Sequence, residues 1–420
     1  MTMFMLGMLA ALLVLIAIGI PISIGLAGIS IYLMMHYHYA FSPLIQQGVN
    51  GLDSFPLLAI PLFIMVGEVM SHGGIARRLV RFASSLVGFM AGGLGQIAVL
   101  TSMFFGGISG SAVADASAIG GMLIRPMKEK GYSAAAATAI VVGASVVGII
   151  VPPSIPMILF GVVTNTSISN LFLAGIVPGI LVTIGLMITT YATSRSSGAA
   201  QSFSVREVID SFFAALPALM LPLIIVGGIL GGVFTPTESS AIALIYAIVV
   251  SLFFYRTLTL KKLFQLFVNT GQLTGVVLLL LTFANVLAWL LTANMVPQHI
   301  VAALTALTDQ RFVMLMILIV VLLLVGFFMD LTPAMVILAP LMTPVVTKLG
   351  IDPVYFGVLM SFALGIGLIT PPVGTVLYVG CGVGDVPMEK LSAALLPYYA
   401  VLLALLFLFI LFPGIVLWYQ

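Results

Sequence analysis

The chain alternates between long apolar runs and short polar punctuation. Marked off by Gly, Pro and charge, the runs fall at 2–18, 22–36, 55–71, 92–124, 134–162, 171–194, 211–234, 238–255, 272–293, 312–346, 354–384 and 390–412. None alternates with period two, so barrel strands are not expected, and most approach the roughly 20 residues an α-helix needs to cross a bilayer. Two runs, 92–124 and 312–346, are longer and broken near the middle, by Gly106-Gly107-Ile108-Ser109-Gly110-Ser111 and by Asp330-Leu331-Thr332-Pro333. They predict re-entrant hairpins, and the other runs predict single crossings. The expected fold is an all-α polytopic membrane protein of about 10 transmembrane helices plus two re-entrant hairpins. Two amphipathic stretches, 75–89 and 296–308, predict helices lying along the interface. They are either plain connectors or arms that join a moving part to a fixed one.

Composition strengthens this picture. Of 420 residues, 62% are hydrophobic and 6% charged, and the mean hydropathy is +1.31, whereas a soluble domain carries about a quarter charged residues. A net charge of +2 offers no basic face for nucleic acid. The lone Cys381 excludes an intrachain disulfide and a Cys-based metal site. Residues 1–18 lack a basic leader region and read as a first transmembrane helix rather than a cleaved signal. With an external, periplasmic N-terminus, Arg77, Arg78, Arg81, Arg125, Lys128, Lys130, Arg195, Arg206, Arg256, Lys261, Lys262 and Lys390 all face the cytoplasm. Only Arg311 and Lys348 lie outside, the asymmetry expected of a multi-pass inner-membrane protein.

The chain also repeats itself. At an offset of 219 residues Gly107 matches Gly326, Gly148 matches Gly367, Pro152-Pro153 matches Pro371-Pro372, and Pro178 matches Pro397. The first repeat is assigned to 1–195, with scaffold helices in 1–71, an interfacial arm at 74–89, and a hairpin and broken helix in 92–162. The second is 196–420, with scaffold helices in 211–293, an arm at 295–309, and a hairpin and broken helix in 312–384. Five crossings per half make the second copy inverted, the organisation of secondary transporters, whose sites lie at the interruptions.

Irregular backbone inside a bilayer must be satisfied by protein or by a wet cavity. Each Pro of Val151-Pro152-Pro153-Ser154 and Thr370-Pro371-Pro372 removes a donor and frees a carbonyl four residues back. Freed carbonyls and hydroxyls suit Na⁺, and helix N-termini suit an anion. A hairpin tip facing a broken helix therefore offers one oxygen cage per half: Gly107, Ser109, Val151 and Ser154 in the first, Gly326, Asp330, Thr332, Thr370 and Thr375 in the second. Ser111 is expected to cap the returning arm of the first hairpin, and Thr332 that of the second, with Pro333 following. Asp115 and Asp330 are intramembrane acids that need a partner, and with Ser109 and Ser111 they are the candidate substrate contacts. Glu238 follows Thr235 at capping-box spacing. Glu68 is placed near the cytoplasmic end of its span, where it binds either a partner or a positive residue, and His72 is expected to be interfacial. Arg125 is either a topology anchor beside Lys128 and Lys130 or a contact for a substrate carboxylate. Neither a nucleophile–base pair nor paired acids for Mg²⁺ stands out, so an intramembrane enzyme is not expected.

Five segments carry a family resemblance: SFPLLAIPLFIMVGEVM (54–70), GGISGSAVADASAIG (106–120), VPPSIPMILFG (151–161), TPTESSAIA (235–243) and ITPPVGTVLYVG (369–380). Together they resemble the large membrane subunit of tripartite ATP-independent periplasmic (TRAP) transporters, over essentially the whole chain. The resemblance implies a Na⁺-driven importer with an elevator-type transport domain built from the hairpins and broken helices. It also implies a separate small membrane subunit and a periplasmic binding protein that delivers an organic anion, of the sialic acid or C4-dicarboxylate class. It places Ser109, Ser111, Asp115 and Ser154 at the site, with Asp330, Thr332 and Thr370 from the second half. At LIRPM the chain departs from the apolar run usual in that family, so Arg125 takes no role from it. The alternative is a stand-alone ion-coupled anion transporter that needs no binding protein.

Overall fold

The computed structural model describes residues 7–8, 11–12, 14–15, 18–194, 202–308 and 310–420, with backbone alone for 304–307. Much of the run 2–18, Arg195 and the boundary between the repeats at 195–196 lie outside these residues. All regular structure among them is helical. The first half runs α1 Ile22–His36, α2 Ser42–Asn50, α3 Ala59–His72, α4 Ile75–Val87, α5 Gly93–Ser109, α6 Ala112–Glu129, α7 Ala134–Ser145, the single turn α8 Val147–Ile150, α9 Ile155–Thr164 and α10 Ile168–Ser194. The second runs α11 Val205–Leu230, α12 Pro236–Val249, α13 Leu260–Ala293, α14 Val296–Leu307, α15 Arg311–Gly326, α16 Leu331–Lys348, α17 Pro353–Leu368, α18 Thr375–Gly384 and α19 Met388–Leu411. Eight helical segments among the described residues are long and apolar enough to cross a membrane, and shorter apolar helices accompany them.

Both long runs fold as helix–tip–helix hairpins. At the first tip Gly110 takes a left-handed φ of +61° and ends α5, a conformation that costs glycine little. Ser111 then extends, and its Oγ accepts the Ala114 N–H at 3.4 Å, as its spacing predicts. The second tip differs from expectation by two residues: Asp330, not Thr332, occupies the N-cap position, and Leu331 begins α16. Pro333 therefore falls within the first turn, where its missing donor forfeits no intrahelical bond.

The repeat is visible element by element. The starts of α6 and α16, Ala112 and Leu331, differ by 219, as do those of α7 and α17, Ala134 and Pro353. Both double prolines carry a cis peptide bond. In each half the outgoing hairpin arm crosses the broken helix at two glycines: a Cβ on Gly148 would lie 2.9 Å from the Gly106 Cα, and one on Gly367 2.6 Å from the Gly326 Cα. By this contact Gly106, not Gly107, is the counterpart of Gly326. The halves also interlock, because α9 packs on α16 and α18 on α6, while α7 packs on α19 and α17 on α10. The Lys128 Nζ of α6 donates to the Gly384 carbonyl at the end of α18 across 2.5 Å. Every residue from Val354 to Leu368 of α17 is buried, as a helix apolar on all sides requires.

A second group of helices, α1, α3, α11, α12 and α13, packs mutually beside this body. The amphipathic stretch 75–89 forms α4, and its polar face is tied to this group. Arg81 Nε pairs with Glu207 Oε1 at 2.9 Å, Ser85 meets Ser211 at 2.7 Å, and the Arg78 guanidinium lies 3.5 Å from the centre of the Tyr255 ring. Glu238 closes the expected capping box, its carboxylate accepting the Thr235 N–H at 2.8 Å.

Candidate functional site

A cavity of about 770 Å³ lies where the two hairpin tips face α3 and α13. Ser109, Gly110, Ser111 and the first turn of α6 form one wall, and Asp330, Leu331, Thr332 and Pro333 of the other tip form a second. Ile155 and Pro156 at the start of α9 join them. Glu68, Ser71 and His72 of α3 and an apolar strip on α13 (Leu273, Val276, Val277, Leu280) close the opposite side. Three helices, α6, α9 and α16, thus begin at the cavity wall. Their leading N–H groups and positive dipole ends favour an anion without any Lys or Arg in the lining.

The candidate residues separate into three groups. Ser109, Ser111, Asp330 and Thr332 line the cavity. Gly107, Val151, Ser154, Gly326, Thr370 and Thr375 lie behind it, where each tip meets its own broken helix. In the first half a Cβ on Gly107 would touch the Val151 side chain at 3.0 Å and the Pro152 carbonyl at 3.3 Å, and one on Gly110 would lie 2.9 Å from the Pro153 carbonyl. In the second the Val373 N–H donates to the Phe327 carbonyl at 3.2 Å, and Thr375 Oγ1 donates to Asp330 Oδ1 at 2.9 Å. The hydroxyl protons here are engaged internally: Ser154 donates to the Ile149 carbonyl at 2.5 Å and Thr370 to the Ile366 carbonyl at 2.7 Å. A hydroxyl bound this way turns its lone pairs to other neighbours, so the donor chemistry at both junctions fits a hard cation such as Na⁺. Asp115 stands alone in the third group. It is fully buried behind the first tip and does not line the cavity.

Sequence reasoning left Glu68 and His72 out of the candidate set, and the structure brings both to the cavity wall, with His72 Nδ1 3.7 Å from Glu68 Oε2. The signal was available in α3, where Ile60, Ile64, Gly67, Glu68 and Ser71 recur at helical spacing on one face. Arg125 is exposed, pairs with Glu129 across 3.1 Å and stays outside the lining.

A protein with eight helical segments able to cross a membrane and paired interrupted helices around one cavity has the architecture of a secondary transporter. Residues 9–415 match the family described as "Tripartite ATP-independent periplasmic transporter, DctM component". The chain belongs to that family, the large permeases of transporters that work with a small membrane subunit and a substrate-binding protein. It is 39% identical over 408 residues to the 2,3-diketo-L-gulonate TRAP transporter large permease protein YiaN of Escherichia coli, covering 96% of this chain and 95% of the relative. It is 36% identical over 412 residues to the sialic acid TRAP transporter large permease protein SiaM of Vibrio cholerae, covering 97% and 96%. Among solved structures, the YdaH transporter of Alcanivorax borkumensis shares the fold at a TM-score of 0.62 and 17% identity, covering 90% of this chain and 89% of that one.

Proposed function

We propose that this chain is the membrane permease of a Na⁺-coupled importer of an organic anion in the bacterial inner membrane. The observation that carries this reading is the cavity bounded by both hairpin tips, with three helix N-termini at its wall and an oxygen-rich junction behind each tip. The substrate carboxylate docks at the N-termini of α6 and α16. Its hydroxyl or amide groups meet Ser109, Ser111, Asp330 and Thr332. Na⁺ travels as co-substrate at the two junctions, held by Ser109, Val151 and Ser154 with the backbone at Gly107, and by Asp330, Thr332, Thr370 and Thr375 with the backbone at Gly326. Its positive charge lies next to the place where the anion docks, so each favours the binding of the other. The names of the relatives support a carboxylated sugar such as sialic acid or a smaller acid of the C4-dicarboxylate class.

The mechanism we propose is an elevator. Hairpins, broken helices, α10 and α19 move as one interlocked body, and α1, α3, α11, α12 and α13 stay fixed. The two groups touch at the first tip, where a Cβ on Gly67 of α3 would lie 3.5 Å from the Ser109 Cα. The distribution of Lys and Arg supports an external N-terminus and inverted repeats. The test is uptake of labelled N-acetylneuraminate and of succinate into proteoliposomes holding this chain with its small subunit, with binding protein added outside. Uptake of one of them driven by an inward Na⁺ gradient is expected. An undiminished rate with K⁺ in place of Na⁺ refutes the coupling, and uptake by this chain alone establishes the stand-alone alternative.

A further inference from the structure

The walls of the cavity differ in chemistry and in the group of helices they belong to. The hairpin side carries three helix N-termini and hydroxyls with spare donors. Ser109 and Ser111 each accept a backbone N–H, and among the described residues neither gives its proton to a protein acceptor. The opposite side is largely apolar. All four lining residues of α13 are apolar, and Leu273 and Val276 are 49% and 62% exposed. Ile60 and Ile64 of α3 continue this surface. Glu68, one turn beyond Ile64, sets a carboxylate at the same wall, and no Lys or Arg lines the cavity to offset it.

A small acid leaves the apolar side uncovered. A volume of about 770 Å³ falls within the range of clefts that enclose a drug-sized ligand, and a carboxylate seated at the N-termini of α6 and α16 occupies only the hairpin side. Apolar surface that faces a cavity is stabilised by an apolar occupant. The anion that fits both walls is therefore amphipathic, with one carboxylate at the helix N-termini and a hydrocarbon or aryl chain over Leu273, Val276 and Val277. A second carboxylate at the far end of that chain would meet apolar side chains and Glu68, and both disfavour it.

We propose that the cavity is also a site for amphipathic monocarboxylates, which bind there without being transported. This rests on the elevator reading, in which the hairpin tips move while α3 and α13 stay. A transported acid is held by the moving side alone. An acid with its head on the tips and its chain on α13 adheres to both bodies, and it loses half of its contacts when they slide apart. A ligand shifts an equilibrium by its differential affinity for the two states. Such an acid therefore holds the protein in the arrangement described above and competes with substrate for the helix N-termini.

The experiment uses the complex with its small subunit in nanodiscs, in Na⁺, with empty nanodiscs as the blank. Isothermal titration calorimetry measures the binding of butyrate, octanoate and octanedioate, with N-acetylneuraminate and succinate alongside. A fully buried methylene gains about fourfold in affinity, so a half-covered octanoate chain should bind roughly tenfold more tightly than butyrate. Octanedioate, of the same length, should show no such gain. The double variant Val276→Thr, Val277→Thr adds hydroxyls to the wall with little change of shape, so the octanoate-to-butyrate ratio should fall severalfold. Leu273→Asn gives the same reading should the double variant fail to fold. In proteoliposomes octanoate should inhibit Na⁺-driven uptake of the transported acid, and labelled octanoate should not accumulate above the level in protein-free liposomes. The inference is overturned, and the importer left standing, by any of three results: no gain of octanoate over butyrate, a gain that the variants leave unchanged, or Na⁺-driven accumulation of octanoate. Absence of binding by every acid tested removes anion docking at the helix N-termini, and the proposed function falls with it.

Discussion

The glycine crossings offer the sharpest test of how the moving body is built. Replacing Gly367 by Ala puts a methyl group 2.6 Å from both the Cα and the carbonyl carbon of Gly326. The obstructing atoms are backbone, so no side chain can rotate away, and relief requires α15 to move off α17. Overpacking of a dense core costs about 1–3 kcal/mol, and a rigid backbone obstacle belongs at the upper end. A cost of about 3 kcal/mol is roughly a hundredfold in the folding equilibrium. Gly227→Ala supplies the control, because a Cβ there meets nothing within 4 Å and the residue lies inside the helix α11. In that place Ala gains about 0.5–1 kcal/mol of helix preference over Gly. Titration of both variants with SDS, followed by circular dichroism, should separate their midpoints in opposite directions from the parent. If Gly367→Ala unfolds with Gly227→Ala, the crossing is not a close contact and the account of the broken helix is wrong.

Three further outcomes follow from the same geometry. Thr375→Val removes the 2.9 Å bond to Asp330; a hydrogen bond to a charged group contributes about 1.5–3 kcal/mol, so half-maximal Na⁺ for uptake should rise at least severalfold, and an unchanged value refutes a role for this junction. Ser154→Ala deletes a cage oxygen and the cap that accepts the Met157 N–H, so a loss of about 1 kcal/mol of stability should accompany weaker Na⁺ dependence. The Arg81–Glu207 pair has side chains 53% and 47% exposed, so a double-mutant cycle should give a weak coupling that fades with salt; a strong, salt-resistant coupling would show that the arm is held chiefly by charge.

Much of the architecture could be read from residue order because the chain obeys a bilayer. Runs 92–124 and 312–346 anticipated hairpins spanning Gly93–Glu129 and Arg311–Lys348, and the double prolines marked both broken helices. Helix α2, with its start at Ser42-Pro43, escaped notice because it carries too few apolar residues to stand out as a run. The start of α13 at Leu260 was missed for a related reason: Lys261, Lys262 and the polar residues up to Gln272 interrupt the hydropathy but not the helix. Within the site, residue type identified the oxygen donors but not their direction. Asp115 lies one turn beyond Ser111, yet Ser111 faces the cavity and Asp115 faces Gly148. Glu68 was left out of the candidate site because its position along α3 said nothing of the partner helices that bring it to the wall.

The interlocking of the two halves has a consequence for the history of the chain. Each hairpin finds its neighbouring short helix in the other half, α6 with α18 and α16 with α9. Had the repeat begun as a single-copy protein, one copy could not have completed its own transport body. It would have needed a second copy to supply these contacts, so the duplication that joined them kept a pairing of two copies rather than adding a domain.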